Sequence, residues 1–293
     1  MFDIWNADEP LAIQEYKKNN YMIRLTPEGQ YCAIFCSSNN IWFPCTKEAF
    51  EASIINKDRY EWTNFHIPIA KKEIFVRDIY KSWYVTGINE ELNSIDNLTD
   101  FLRKETAGYK LILIGSSAGG YLAALLSAKL NASYAIVFSA QFELKNKWAY
   151  DGNPFLRKYE ETDKSRYYDL NTLLKASDRP IYYVVPIKSE NDYYQYMHVK
   201  DIPCVKPIIF NSRHHGIVML KGNMNRFLSL SQEEIQAIYE KNSNKRISLI
   251  GFSLQLEGFW HTVFEVAMQI KIILIVIYKK IVKNARKETN HEN

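Results

Sequence analysis

A chain of 293 residues, 47% of them hydrophobic, is long enough to bury a full core, and its length suits one α/β domain with modest insertions better than two separate domains. Its 37 basic and 33 acidic residues leave a formal net charge of +4, much of it near the C-terminus, which argues against a basic nucleic-acid-binding face and against nucleic acid as a partner. The four cysteines, Cys32, Cys36, Cys45 and Cys204, lack the paired spacing of zinc modules, so no metal site is expected and they read as buried thiols of a reducing compartment.

Residues 1–10 carry Asp3, Asp8 and Glu9 and have neither the basic start nor the apolar run of a secretory signal, so a cytoplasmic location is expected. Short apolar runs rich in β-branched and aromatic residues then recur as candidate strands: Tyr21–Leu25, Tyr31–Cys36, 73–77, 110–114, Tyr134–Phe138, 181–185 and 207–210. The first two are close enough in sequence to form an antiparallel hairpin. From Lys110 onward strands alternate with helical patterns, which indicates a mostly parallel central sheet with helices on its faces. Ile88, Leu92, Ile95, Leu98 and Leu102 fall three or four apart and predict an amphipathic helix over 88–102. The nearly all-apolar run 121–130 predicts a helix buried against the sheet centre.

The polar and aromatic stretch 143–169 interrupts the alternation and reads as a lid-like insertion over the sheet's C-terminal edge. Ser231 and Glu234 form a capping box that starts a helix running to about Lys241. These features place an α/β domain at 1–245 and a helical, basic tail at 246–293. The many aromatic residues read as packing in preference to a sugar-stacking surface.

The chemistry-bearing motif is Gly115-Ser116-Ser117-Ala118-Gly119 between the strand 110–114 and the apolar helix. A serine held on so tight a turn needs small neighbours, because the backbone must bend sharply for Oγ to face a cleft. A phosphate-binding loop is the rival reading, but no Lys-Ser or Lys-Thr pair closes it and the glycine spacing does not fit a dinucleotide fingerprint. Ser117 is therefore the candidate nucleophile, with Ser116 one place early. The N–H of Ala118 is a candidate oxyanion donor, and a second is expected within 37–42.

Where such a serine is catalytic, an acid and then a histidine follow it in chain order. Of the six histidines, His214 and His215 follow the strand 207–210 and precede Gly216; His215 is preferred, with His214 the alternative. The acid belongs in the loop after the strand 181–185, where Asp192 is preferred to Glu190, and Asp201 is a more distant candidate.

With Phe138-Ser139-Ala140-Gln141, Asp78, Trp83, Tyr84 and Gly87, and His215-Gly216 followed by Leu220-Lys221, the elbow resembles that of bacterial α/β-hydrolase-like proteins associated with capsular and other surface-polysaccharide biosynthesis. The resemblance covers roughly 31–230. Ala140 stands where similar proteins tend to have Pro. The resemblance implies an α/β-hydrolase fold and a serine-dependent enzyme acting on a glycan or glycan precursor, either an esterase or deacetylase or an O-acyltransferase. The transferase would need an acyl donor such as acetyl-CoA; otherwise no cofactor is expected. A non-catalytic binding protein of a polysaccharide-synthesis complex is the competing expectation. Asp78 and Trp83 either line the cleft or support the loop that shapes it, support being preferred.

In the tail, the apolar run 272–278 is flanked by Lys271 and Lys279 and falls well short of the roughly 20 residues needed to span a bilayer. With Lys280, Lys283, Arg286 and Lys287 following, it suggests peripheral contact with an anionic membrane, at the inner face of the cell membrane; packing on the domain or a second subunit is the alternative.

Overall fold

The computed structural model describes residues 9–145 and 154–289, with the backbone alone at residues 273, 276, 277 and from 279 onward. The chain forms two compact units, Met1–Val218 with Leu228–Ile247, and Met219–Phe227 with Ser248–Asn293.

The first unit is built on a seven-stranded sheet: β1 Tyr21–Leu25, β2 Tyr31–Cys36, β3 Ala70–Val76, β4 Lys110–Ser116, β5 Tyr134–Phe138, β6 Ile181–Pro186 and β7 Val205–Phe210. The order is β1-β3-β2-β4-β5-β6-β7, with only β1 antiparallel to its neighbour. Strands β2, β4, β5 and β6 are apolar almost throughout and buried on both faces, as a helix-covered parallel sheet requires. Strand β1 is only partly buried and lies on the edge.

The hairpin expected between the first two runs does not form. Strand β3 lies between them, pairing with β1 antiparallel and with β2 parallel. The physical reason is burial: Tyr-Cys-Ala-Ile-Phe-Cys needs a strand on each side, whereas β1 carries Arg24, whose guanidinium reaches the fully buried Glu73 of β3 at 2.5 Å. Neighbouring apolar runs in sequence gave no sign of that partner.

The helix expected over 88–102 begins later, at Ile95, and runs to Glu105. Its start is fixed by Ser94, whose Oγ accepts the N–H of Asn97, while Leu92 N–H is taken by the Asn89 side chain in a preceding turn. The helix after the elbow, Ala118–Lys129, is buried from Ala118 to Ser127 and packs on β2, β4 and β5. The capping box at Ser231 and Glu234 opens Gln232–Asn242. Of the cysteines, Cys32, Cys36 and Cys204 are buried, but Cys45 is exposed, contrary to the expectation of four buried thiols; it lies in a turn after Phe43-Pro44 rather than in a strand.

The stretch 143–169 leaves and rejoins the domain at a neck where Glu143 and Asp169 bridge and Leu144 N–H donates to Tyr168 O at 2.7 Å. Gln195 secures that neck by accepting the N–H groups of Phe142 and Glu143 and donating to Glu143 O. The described part contains Pro154–Lys158, whose Phe155 joins a cluster with Ala12, Trp42 and Tyr80. Residues 146–153 of the expected insertion lie outside the described residues.

The second unit is a helical element, Leu249–Thr289, broken by the non-helical backbone of Gly258 (φ 81°, ψ −175°), together with the segment Met219–Phe227. Phe227 meets Phe252 edge-on, and Asn223 Nδ2 donates to Glu257 at 3.0 Å. Among the described residues no helix is long and apolar enough to cross a membrane.

Candidate active site

Strand β4 delivers the chain into the elbow, and Ser117 adopts φ 53°, ψ −120°, a conformation that L-residues avoid unless the surroundings enforce it. Two contacts do so. Ser117 N–H donates to Phe138 O of β5 at 2.9 Å, and Ser117 O accepts Tyr121 N–H at 3.0 Å as the helix begins. Close packing does the rest: a Cβ on Gly119 would sit 2.1 Å from Cys36 O, and one on Gly115 would sit 2.1 Å from Gly119 O. Only glycine lets the helix start, the end of β4 and the end of β2 share that space.

Two other strand ends bring the partners. After β7, Gly216 (φ 108°) turns the chain; its N–H donates to Ser139 Oγ and its carbonyl accepts from the same hydroxyl, both at 2.9 Å, tying the histidine loop to the end of β5. His215 Nε2 then stands 3.0 Å from Ser117 Oγ. On its other side, His215 Nδ1 lies 2.9 Å from Asp192 Oδ2 and 3.1 Å from Oδ1. The carboxylate fixes the tautomer: Nδ1 carries the proton and donates to Asp192, which leaves Nε2 as an acceptor for the serine hydroxyl. Asp192 is buried, and it sits not in a loop, as the sequence suggested, but in the first turn of the helix Glu190–Val199, where backbone N–H groups favour a negative charge. A parallel sheet ending in a serine elbow, with acid and histidine on the strand ends that follow, defines the architecture.

The fold is that of the α/β hydrolases. No protein-family model matches the chain, and no curated protein matches it in sequence. Among solved structures it is similar to a protein of unknown function from Staphylococcus aureus (10% identity, covering 75% of this chain and 91% of that one, TM-score 0.46). It is also similar to the capsule O-acetyltransferase of Neisseria meningitidis serogroup A (13% identity, 80% and 97% covered, TM-score 0.45). A third is MenH from Staphylococcus aureus (13% identity, 76% and 98% covered, TM-score 0.42).

The other residues singled out from the sequence fall elsewhere within this α/β-hydrolase unit. His214 lies on the cleft rim, exposed, with its N–H on Ser212 Oγ. Glu190 is exposed at the helix start, and Asp201 is exposed beside Lys200. Neither Asp78 nor Trp83 is among the residues that line the cleft; of the two expected roles, both take the preferred one of support. Asp78 is buried and accepts the N–H groups of Tyr80, Ser82 and Tyr84 and the Ser82 hydroxyl, so it shapes the loop 78–84. Burial raises its carboxyl to about 6, against the pull of those donors. Trp83 donates from Nε1 to Gln141 Oε1 at 3.1 Å, and that same oxygen lies 3.4 Å from Ser117 Oγ, so Trp83 reaches the serine through Gln141.

The cleft above Ser117 has a volume of 720 Å³. No described residue of 143–169 lines it. Its wall is the segment 59–65, adjoined by Ser38, Asn39, Asn40 and Phe43. Sheet residues pin that wall from below: Arg77 donates to Arg59 O and pairs with Asp58, Arg24 donates to Thr63 O and Phe65 O, and Trp62 Nε1 donates to Cys36 O. Sequence reading missed this element. Its signal was a stretch of mixed charged and aromatic residues with no helix or strand period between the elements at 47–55 and β3, too long for an ordinary connection.

Glu61 belongs to this wall and is held up from the usual carboxylate range by burial, while Ser38 lowers it from N–H and hydroxyl at 2.7 and 3.0 Å. Within 37–42, Ser37 N–H donates to Val76 O, Ser38 N–H to Glu61, Asn40 N–H to Ser38 Oγ and Ile41 N–H to Ser38 O. Asn39 N–H has no acceptor among the described residues.

Proposed function

We propose that this chain is a serine-dependent acyl-transfer enzyme in which Ser117 is the nucleophile, His215 the general base and Asp192 the residue that orients it. The observation that carries the reading is the continuous line from Asp192 through His215 to the Ser117 hydroxyl, on a backbone strained to present that hydroxyl. Ser117 Oγ attacks the carbonyl carbon of an ester or thioester as its proton passes to His215 Nε2. The tetrahedral oxyanion is met by Ala118 N–H, at the open end of its helix, with a second donor from 37–42, for which Asn39 N–H is available. Collapse expels the alcohol or thiol, which takes the proton from His215, and leaves acyl-Ser117. Water then gives hydrolysis, and a sugar hydroxyl gives O-acyl transfer, with a donor such as acetyl-CoA supplying the acyl group.

A glycan or glycan precursor as the acylated partner is supported by the cleft lining. Phe43 and Phe65 offer apolar faces beside the amides of Asn39, Asn40 and Asn64 and the charge of Arg59, a combination suited to a hydroxylated ring. A role in surface-polysaccharide biosynthesis rests on the sequence resemblance, and a reducing, cytoplasmic setting is supported by four free thiols.

A fluorophosphonate probe tests the chemistry: the intact chain is expected to label and Ser117→Ala is not. Labelled protein is then assayed with acetylated sugars for acetate release, and with acetyl-CoA plus sugar for thiol release. A folded chain that never labels would overturn the reading and leave the hydrolase fold as a binding platform within a polysaccharide-synthesis assembly.

A further inference from the structure

The second unit is turned inside out. Along its helix, several polar residues are shielded: Ser253 and Thr262 are buried and hydrogen-bond to each other at 2.9 Å, Glu257 accepts Asn223 Nδ2, and Glu265 accepts Gly222 N–H at 2.9 Å. A Cβ on Gly222 would meet the Glu265 carboxylate at 2.2 Å, so the acid is seated against the backbone. The apolar residues of the same turns face outward. Phe259, Val263, Phe264, Met268, Ile270 and Leu274 are exposed, together with Trp260 at 82% and Tyr278 at 67% exposure. A water-facing helix has the opposite arrangement, because apolar area left in water forfeits about 25 cal/mol per Å².

We propose that this outward face is a docking surface for an anionic lipid bilayer, with the helix lying in the plane of the headgroups. Three observations select lipid. The apolar stripe from Phe259 to Tyr278 carries near its two ends Trp260 and Tyr278, aromatic residues with a polar edge, the side chains that settle at a membrane–water boundary. The helix then continues into Lys279, Lys280, Lys283, Arg286 and Lys287; with Lys271, residues 271–293 hold six basic residues against Glu288 and Glu292, a surplus equal to the whole chain's formal charge of +4. Finally, the acids of the helix nearest the stripe, Glu257 and Glu265, are engaged by Asn223 and Gly222, so neither carboxylate is presented to an anionic surface. The exposed Lys271 within the stripe can lay its stem along the apolar face and keep its ammonium at the headgroups. Contact of this kind needs no spanning segment: an interfacial helix buries one face to a depth of about 5–10 Å. The proposal is independent of the reaction at Ser117.

Flotation of the full chain with phosphatidylcholine vesicles, with and without phosphatidylglycerol, tests it. The chain is expected to float with the anionic vesicles and to be released by high salt. Lys279→Gln, Lys280→Gln and Lys283→Gln together are expected to reduce partitioning by about a hundredfold. Trp260→Ala with Phe264→Ala, exposed positions whose replacement leaves the Glu257 and Glu265 contacts in place, is expected to reduce it comparably while thermal unfolding is unchanged. The proposal fails if the chain stays in the soluble fraction with both vesicle types, or if the lysine variant floats as well as the parent. A soluble dimer that Trp260→Ala dissociates would assign the face to a second copy instead.

Discussion

Ser117 Oγ and His215 Nε2 stand 3.0 Å apart although 98 positions separate them in the chain. The adjacent His214 has its backbone on Ser212 and lies on the rim. Ser117→Ala and His215→Ala are each expected to lower kcat by about a thousandfold or more, since a nucleophile and its base fail as a unit. His214→Ala should stay within about threefold, a change of under about 1 kcal/mol. Initial rates of ester hydrolysis on the three purified variants check the assignment, and equal losses at both histidines would refute it.

In the proposed mechanism Asp192 acts through His215, whose Nδ1 it meets at 2.9 Å, by holding the proton there. Asp192→Asn keeps the shape but can offer an N–H toward that nitrogen, which favours the wrong tautomer. The expected loss is about a hundredfold to ten-thousandfold in kcat with a small change in KM. Glu190→Gln, at the exposed start of the same helix, serves as the control and should leave both constants within about twofold.

The elbow makes a steric prediction that needs no substrate. A methyl group on Gly119 would stand 2.1 Å from Cys36 O and 2.8 Å from Ser37 O, both backbone atoms that cannot swing away. Gly119→Ala is expected to cost about 3 kcal/mol, or roughly 6–12 °C in Tm for a domain of this size. Calorimetry measures it, and an unchanged Tm would mean that the helix start and the end of β2 are not packed as described.

Asp78 supplies a pH dependence of stability. Burial raises its carboxyl from 3.8 to about 6, so the folded chain binds this proton more tightly than the unfolded chain does. The stability linked to that proton is fully present below the unfolded value and is lost as pH rises through about 6. Relative to Asp78→Asn, which cannot titrate, the parent should lose up to about 3 kcal/mol between pH 4 and pH 7 in urea titrations. A difference that is flat with pH, or that grows as pH rises, would contradict this.

Different parts of the molecule were legible in the sequence for different physical reasons. The elbow announced itself because a glycine-flanked serine between an apolar strand and an apolar helix is a local pattern. Choosing His215 and Asp192 needed the neighbouring strands to converge, and sequence left His214 and Glu190 as alternatives; the helix start that buries Asp192 carries no side-chain cap at Ser189 to mark it. The false hairpin arose because sequence proximity suggests pairing, while the partner of β2 on that side lies more than thirty residues downstream. The cleft wall was hidden for another reason: Trp62, at φ 72°, and Tyr60 read as packing residues, and they are almost fully buried, yet both line the cleft together with their neighbours.

The glycine at 119 has one further implication. Because no side chain separates the start of the nucleophile's helix from the end of β2, the gap between Ser117 and the donor loop behaves as a fixed gauge, machined into the backbone. Under the proposed mechanism, any carbonyl that enters would be offered to the serine at one distance. On that reading, selection among substrates falls to Phe43 and the pinned wall 59–65, where side chains can be exchanged without resetting the gauge.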